Sequence, residues 1–163
     1  MINPRMEKLI TECDKHVQRM NSAYTKMSLF MPLDISGYQQ LSDDEFEHID
    51  QFLFRFSKLQ DAMGEKLFVM MLEYLQEENP KSKPFIDTLN RLEQIGLLAD
   101  KNTWLELRKL RNNIAHQYED ESKQASEALN AIYAVKSTLE SIFQTIKTRY
   151  ISIRDSAGNT PLL

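Results

Sequence analysis

Apolar side chains recur every three or four residues along most of the chain, which is the spacing of one face of an α-helix. The first such stripe begins with a proline suited to an opening helical turn and predicts a helix from about Pro4 to Ser28. Its apolar positions are Leu9, Val17, Met20, Tyr24 and Met27. The stretch 29–40 then contains Pro32 and Gly37, which interrupt helices, and predicts a loop.

A second and longer helix is predicted from Ser42 to about Glu78. It opens with the letters SDDE, a capping box in which Ser42 accepts from the third helical amide and Glu45 reaches back to the cap. Its apolar residues are Phe46, Ile49, Phe52, Leu53, Phe56, Leu59, Met63, Leu67, Met70, Met71 and Leu75. They occur on nearly every side, which indicates a central helix with several neighbours, and Gly64 is its weakest position.

Three further helices complete the pattern. One runs from Pro84 to about Gln94, and a second is predicted to start at a Thr103 cap and to hold Trp104 and Leu107. The last is predicted from Ser122 to Arg149 as one unbroken helix, with apolar positions at Ala125, Leu129, Ile132, Val135, Leu139, Ile142, Phe143 and Ile146. About five helices joined by short loops predict an all-α, up-and-down bundle.

Composition agrees with this pattern and sets the domain count. The chain has 163 residues, 42% of them hydrophobic, with only 4 Gly and 5 Pro, which favours helix over turn-rich sheet. No linker is long enough to divide the chain, so residues 1–150 are predicted to form a single domain. Residues 151–163 have little to bury and are predicted to form a loose tail.

The charge and the lone cysteine point to a cytoplasmic protein. A net charge of −4 does not suit a protein that coats nucleic acid over its whole surface. Cys13 has no partner for an internal disulfide, which is typical of a reducing compartment. The apolar run LFVMMLEYL is too short to span a bilayer, and the opening letters MINPRMEKLI lack a signal core, so no membrane association is predicted.

The letters RNNIAHQY place a polar, titratable cluster at the end of an amphipathic helix. Arg111 and His116 lie about 140° apart around that helix and about 7.5 Å along it, so the two side chains flank a groove, particularly one closed by a second copy of the chain. Asn112 and His116 are four residues apart, and the amide can orient the imidazole. The alternative is an ordinary solvated flank ending near the helix carbonyls.

These residues carry a resemblance to a family. The pattern Arg111-x4-His116-x-Tyr118, with polar Asn112 directly after the arginine, resembles the R-x4-H-x-Y motif of HEPN domains, in particular the HepT-type toxins of bacterial toxin–antitoxin pairs. The resemblance covers roughly residues 46–150. It implies a bundle of four or five helices, with the motif late in the chain, and a homodimer in which both motifs line one cleft.

The resemblance also implies a reaction. Many HEPN proteins are ribonucleases that need no metal, because RNA supplies its own nucleophile in the 2′-hydroxyl. His116 would be the acid or base, Arg111 the cation that stabilises the transition state, and Asn112 the orienting residue. No cofactor and no metal are expected. The letters EFEH hold only one E-x-x-H, and Cys13 with His16 supply too few ligands for zinc.

Tyr118 implies a partner. In HepT-type pairs a small nucleotidyltransferase antitoxin attaches AMP to the tyrosine of the motif, and the added negative charge would oppose RNA phosphate. A second interpretation within the same family is a non-catalytic HEPN-like subunit that binds a nucleotidyltransferase. A third is a helical scaffold whose match to the motif is accidental.

Two other groups are candidates for the cleft or for RNA binding. The central helix carries a small and polar stripe that either faces solvent or lines the cleft, and the motif helix carries basic residues that either bind phosphate or are simply solvated. The first group is Ser57, Asp61 and Gly64 with the flanking Arg55 and Lys58, and the second is Lys101, Arg108 and Lys109.

Overall fold

The computed structural model describes residues 1–117 and 121–158, with the side chains of residues 115–117 left out. All regular structure in these residues is helical, which confirms the all-α bundle. The helices are α1 Pro4–Met27, α2 Ile35–Gln39, α3 Asp43–Ala62, α4 Phe68–Tyr74, α5 Phe85–Gln94, α6 Lys101–Gln117, α7 Ser122–Ala134 and α8 Lys136–Gly158. None of the described helices is long and apolar enough to cross a membrane.

Helix α1 packs along α3 with one continuous apolar face. Asn3 caps it by accepting from the amides of Arg5 and Met6 at 3.1 and 3.2 Å. The buried positions include the predicted Leu9, Val17, Met20 and Met27, and add Met6, Ile10, Cys13 and Ala23. The prediction of a loop over 29–40 is partly wrong, since α2 forms where the Asp34 side chain accepts from the amide of Gly37 at 2.6 Å.

The central helix begins as predicted. Glu45 donates its amide to the Ser42 hydroxyl at 3.1 Å, and Ser42 donates its amide to the Glu45 carboxylate at 2.9 Å. A π-helical turn, Met63–Leu67, joins α3 to α4, so the helical backbone ends at Tyr74, short of the predicted Glu78. Gln76 adopts φ 63°, a left-handed conformation that stops the helix. Phe54 is 52% exposed, so the helix is not buried on every side.

Gly64 lies in the π turn and permits the closest approach of α6. A Cβ added at Gly64 would lie 3.0 Å from Cζ2 of Trp104. Trp104 is 1% exposed and packs edge-on against Phe68, with ring centroids 4.6 Å apart. The residue that weakens the central helix in isolation is therefore the one that lets the tryptophan of α6 pack against it.

Helix α6 starts earlier than predicted. Asp100 accepts the amide of Asn102 on its side chain at 2.8 Å and the amide of Thr103 on its carbonyl at 3.1 Å. Thr103 thus lies inside the first turn, and the prediction that it caps the helix is wrong. Aspartate is the better cap because its carboxylate also interacts favourably with the positive end of the helix dipole.

The predicted last helix is two helices. The backbone breaks at Val135, which has φ −104° and ψ 8°, and α8 then continues to Gly158. Ile151 and Ile153 pack against the core, and Arg154 donates to Glu7 of α1 at 2.9 Å. The prediction of a loose tail is therefore wrong for residues 151–158, and its remaining part, 159–163, lies outside the described residues.

Candidate functional site

An ion pair joins the central helix to the motif helix. Arg111 of α6 donates from Nη1 to Oδ1 of Asp61 at 3.0 Å and from Nη2 to Oδ2 at 3.1 Å. This two-bond fork fixes the plane of the guanidinium as well as its position. The side chains are 35% and 34% exposed, so the pair lies at the protein surface and remains accessible. The structure thus brings together two residues that the sequence offered as separate candidates.

The ion pair lies at the edge of a cleft of about 240 Å³. The walls come from the end of α3, the π turn, α5 and α6. Its lining residues are Gln60, Asp61, Gly64, Glu65, Phe85, Trp104, Arg108 and Arg111. The cleft therefore combines two carboxylates, two guanidinium groups, one amide and two aromatic rings.

Two of the lining residues leave polar atoms unpaired. Gln60 is 3% exposed, and neither its Nε2 nor its Oε1 has a hydrogen-bond partner among the described residues. The indole Nε1 of Trp104 likewise has none within the described part of the chain. Each buried polar group left unpaired costs about 1–3 kcal/mol. Both residues that carry this energetic cost line the same cleft.

Gln60 was not predicted as a site residue. A glutamine on a helix normally faces solvent, and no motif includes this one. A signal was nevertheless present in the spacing, since Gln60 follows Phe56 by one turn and precedes Met63 by a little less than one turn. Both of these residues are fully buried in the structure. A polar residue at a core position of a helix is a reason to look for a site.

The predicted basic group divides between the cleft and other surfaces. Arg108 lines the cleft with its guanidinium 5.5 Å from the centre of the Phe85 ring, a cation–π distance. Lys109 is exposed on α6 and does not line the cleft. Lys101 donates to the Asn90 side chain at 2.7 Å. Arg108 is therefore the member of this group that accompanies Arg111.

The other candidates on the central helix lie apart from the cleft lining. Ser57 is half-buried one turn before Asp61 and is not among the lining residues. Arg55 faces α1, where its Nη1 lies 3.0 Å from Nδ1 of His16. Burial and the neighbouring Arg55 charge lower the pKa of His16. Arg55 thus contributes to the contact between α1 and α3, and the structure does not bring it to Arg111.

The remaining motif residues are described only in part. Asn112 is exposed on α6, one residue beyond Arg111. His116 lies within the helical backbone of α6, but its side chain is outside the described residues, as is the whole of Tyr118. The arrangement of Asn112, Arg111 and His116 proposed from helix geometry stays a prediction.

Metal-binding groups do not gather in the part of the chain that is described. No three His, Cys, Asp or Glu residues there are placed to hold a metal ion. Cys13 is buried in the core, and burial, with smaller effects from Asp14 and Glu12, raises the pKa of its thiol to about 12. The thiol is therefore protonated at neutral pH and is a poor metal ligand.

The lining residues of the cleft come from α3, the π turn, α5 and α6. The family resemblance rests on the residues from Arg111 to Tyr118. That resemblance stays a prediction from the motif. Comparison with protein-family models, with curated proteins and with solved structures finds no match for this chain.

Proposed function

We propose that the chain is a metal-independent endoribonuclease toxin of the HEPN type, acting in the cytoplasm as a homodimer. The observation that carries the proposal is the position of Arg111. The arginine of the R-x4-H pattern is fixed by Asp61 at the edge of a cleft that also holds Arg108. A paired and oriented cation beside a cleft is what transfer at a phosphodiester requires.

The pairing with Asp61 leaves Arg111 able to bind phosphate. A guanidinium carries five N–H donors, and the fork to Asp61 occupies one on each of Nη1 and Nη2. The donors left over can reach the non-bridging oxygens of a phosphodiester. Because the carboxylate already holds the guanidinium plane, little reorganisation is needed when the phosphorane forms. Asp61 is therefore a positioning residue for Arg111.

The reaction follows from the chemistry of RNA. The ribose 2′-oxygen attacks phosphorus, so a P–O2′ bond forms as the P–O5′ bond breaks. The 2′-hydroxyl proton passes to a base, and the leaving 5′-oxygen receives a proton from an acid, giving a 2′,3′-cyclic phosphate and a 5′-hydroxyl. His116 has the residue type for both roles near neutral pH, and a dimer would supply one imidazole for each role. Asn112 would orient the ring of His116.

Tyr118 is the proposed site of control by a cognate nucleotidyltransferase antitoxin. Its phenolic oxygen would attack the α-phosphate of ATP, releasing pyrophosphate and leaving AMP on the tyrosine. The new phosphodiester carries a negative charge two residues after His116. Repulsion between that charge and RNA phosphate would then block binding of the substrate.

One observation favours a second candidate function, a non-catalytic HEPN-like subunit that binds a nucleotidyltransferase. The Asp61 carboxylate pairs with Arg111 through two hydrogen bonds within the chain. An arginine serving only to join α3 and α6 would look the same in the structure. The two candidates differ in whether the purified protein cleaves RNA.

The test is cleavage of RNA by purified protein in the presence of a metal chelator. Arg111→Ala and His116→Ala should each lower the rate about 100-fold or more, a typical effect of removing a charge-stabilising or acid–base group. Arg19→Ala, which removes an exposed arginine from α1, should cleave at the wild-type rate. Wild-type rates in both motif variants would overturn the ribonuclease proposal.

The antitoxin part of the proposal has its own readout. Incubation with the nucleotidyltransferase and ATP should add about 329 Da to the wild type for each AMP. Tyr118→Phe should gain no mass and should keep cleaving RNA after the same treatment. Stable binding of the nucleotidyltransferase without any RNA cleavage by the wild type would instead support the non-catalytic subunit.

A further inference from the structure

The cleft beside Arg111 contains more recognition chemistry than a phosphate requires. Gln60 and Trp104 both line it, and their amide and indole N–H have no partners in the described residues. The terminal torsion of a glutamine amide is broad, so this amide can turn toward a ligand at small cost. One acceptor and two kinds of N–H donor thus lack partners, among the described residues, on two buried side chains that line the same cleft.

The same cleft also offers a surface for a flat ring. Phe85 lies in the cleft under the guanidinium of Arg108, with 5.5 Å between the guanidinium carbon and the ring centre. Aromatic rings and arginine planes are the surfaces on which unpaired RNA bases stack. The volume of about 240 Å³ exceeds the roughly 150 Å³ that holds benzene, so a bicyclic base fits where a whole nucleotide does not.

The charged groups of the cleft select among the bases. Glu65 is exposed, lines the cleft and has no ion-pair partner among the described residues, whereas Asp61 is engaged with Arg111. Guanine presents N–H donors on its Watson–Crick edge and the acceptors O6 and N7 on the other, and arginine pairs with O6 and N7. A cleft with a free carboxylate and an accessible guanidinium therefore matches both edges of guanine. Adenine, cytosine and uracil each offer a carboxylate only one donor nitrogen, whereas guanine offers two adjacent ones.

We infer that the cleft formed by Gln60, Glu65, Phe85, Trp104 and Arg108 is a guanine subsite, which places a guanine base next to the phosphodiester bound by Arg111. The inference rests on the proposed ribonuclease function and names the substrate class at that site. It assigns base selection to residues of α3, the π turn, α5 and the first half of α6, and leaves the chemistry of cleavage to the motif residues at the end of α6.

Trp104 makes the inference directly measurable. It is the sole tryptophan of the chain, so intrinsic indole fluorescence reports on the cleft alone. In titrations of the purified full chain, GMP should quench this fluorescence at a concentration about tenfold lower than AMP, CMP or UMP, as expected when one base-edge pair discriminates. Equal quenching by all four nucleotides, or by none, would overturn the subsite.

Matched variants separate recognition from folding. Glu65→Gln should raise the half-quenching concentration of GMP about tenfold and leave that of AMP unchanged, because only the contact to the guanine edge is weakened. Glu47→Gln removes an exposed carboxylate at the far end of α3 and should behave as wild type. An unchanged preference for GMP in Glu65→Gln would contradict the assignment of Glu65.

The subsite and the ribonuclease fail in different ways. His116→Ala should abolish RNA cleavage and keep the wild-type preference for GMP, because the histidine is not needed to hold a base. If RNA cleavage depends on His116 but the protein binds all four nucleotides equally, the guanine subsite is wrong and the ribonuclease proposal is still supported. If the wild type binds GMP selectively but does not cleave RNA, the ribonuclease proposal is wrong and a guanine site is still supported.

Discussion

Two ion pairs between helices look alike in this protein and lie in opposite surroundings. Arg111 and Asp61 join α6 to α3 at 3.0 Å, and Arg154 and Glu7 join α8 to α1 at 2.9 Å. Both pairs are about one-third exposed. Around Glu7, however, the polar groups are paired, since the buried Tyr150 hydroxyl donates to Glu7 at 3.0 Å and accepts from the amide of Asn3 at 3.1 Å.

The neighbourhood of Arg111 shows the contrary arrangement. In the cleft that Arg111 helps to line, Gln60 and Trp104 keep buried polar atoms without partners in the described part of the chain. A polar network that is closed within the protein serves the fold, whereas one left open at a cleft has capacity for a ligand. The two regions therefore differ mainly in whether their buried polar groups have hydrogen-bond partners, since both contain a similar ion pair.

Removing the Asp61 carboxylate should have the largest effect. Asp61→Ala frees the Arg111 guanidinium to move, and we expect RNA cleavage to fall about tenfold to a hundredfold, since small misplacements of a catalytic group cost that much. The free energy of unfolding should change by about 1 kcal/mol or less, as for other half-exposed pairs. Cleavage assays and urea unfolding measure the two quantities.

Asp14→Ala is the matched control for that variant. It breaks another half-exposed pair between helices, with Lys147 at 2.8 Å, far along the chain from the motif. Its cost in stability should be similar to that of Asp61→Ala, and its cleavage rate should be that of the wild type. Equal losses of activity in both variants would mean that Asp61 acts only through the fold.

Breaking the closed network should affect stability alone. Tyr150 is fully buried, and Tyr150→Phe leaves the amide of Asn3 without its acceptor. We expect a loss of about 1–2 kcal/mol in the free energy of unfolding, with an unchanged denaturant slope and an unchanged rate of RNA cleavage. A comparable loss of cleavage would show that the two regions are coupled.

Removing the unpaired amide of Gln60 should stabilise the protein. Gln60→Met keeps the volume and eliminates two buried polar atoms that lack partners among the described residues, so we expect a gain of about 1 kcal/mol in the free energy of unfolding together with weaker binding of GMP. Gln51→Met, at a half-buried position of the same helix, should change stability by about 0.5 kcal/mol or less. A destabilised Gln60→Met would show that the amide is paired in solution.

The sequence predicted the helices better than their ends. The capping box at Ser42 and the apolar face of α1 depend on residues close in sequence, and both were right. At the break at Val135 and along the continuation of α8 to Gly158, by contrast, Val135, Ile151 and Ile153 pack against a core built from distant helices. No local signal marks them, because Val135 is itself a plausible helix residue.

The candidate site shows the same division between local and distant information. The motif indicates Arg111 as a candidate, and the polar stripe on the central helix indicates Asp61. Their ion pair forms only because α3 and α6 lie next to each other in the fold. Arg55 belongs to the same stretch of sequence but faces α1, where it contacts His16. Periodicity places residues on a helix face, and only the tertiary structure decides which face meets which neighbour.

The smallest expected effect tests the closed network through pH. The Arg154 hydrogen bond is the main cause that lowers the pKa of Glu7 from 4.5, with Tyr150 adding to it and burial and Asp155 opposing it. A carboxyl whose pKa is lowered by folding stabilises the protein above its unfolded pKa and loses that contribution as the pH falls through the folded value. The stability difference between wild type and Glu7→Gln should therefore be constant near neutral pH and shrink below about pH 4.5.

Urea unfolding between about pH 3 and pH 7 measures this stability difference, with Glu127→Gln on the exposed face of α7 as the control. A difference that grows toward low pH would contradict the role of Glu7 as a charged acceptor in the network.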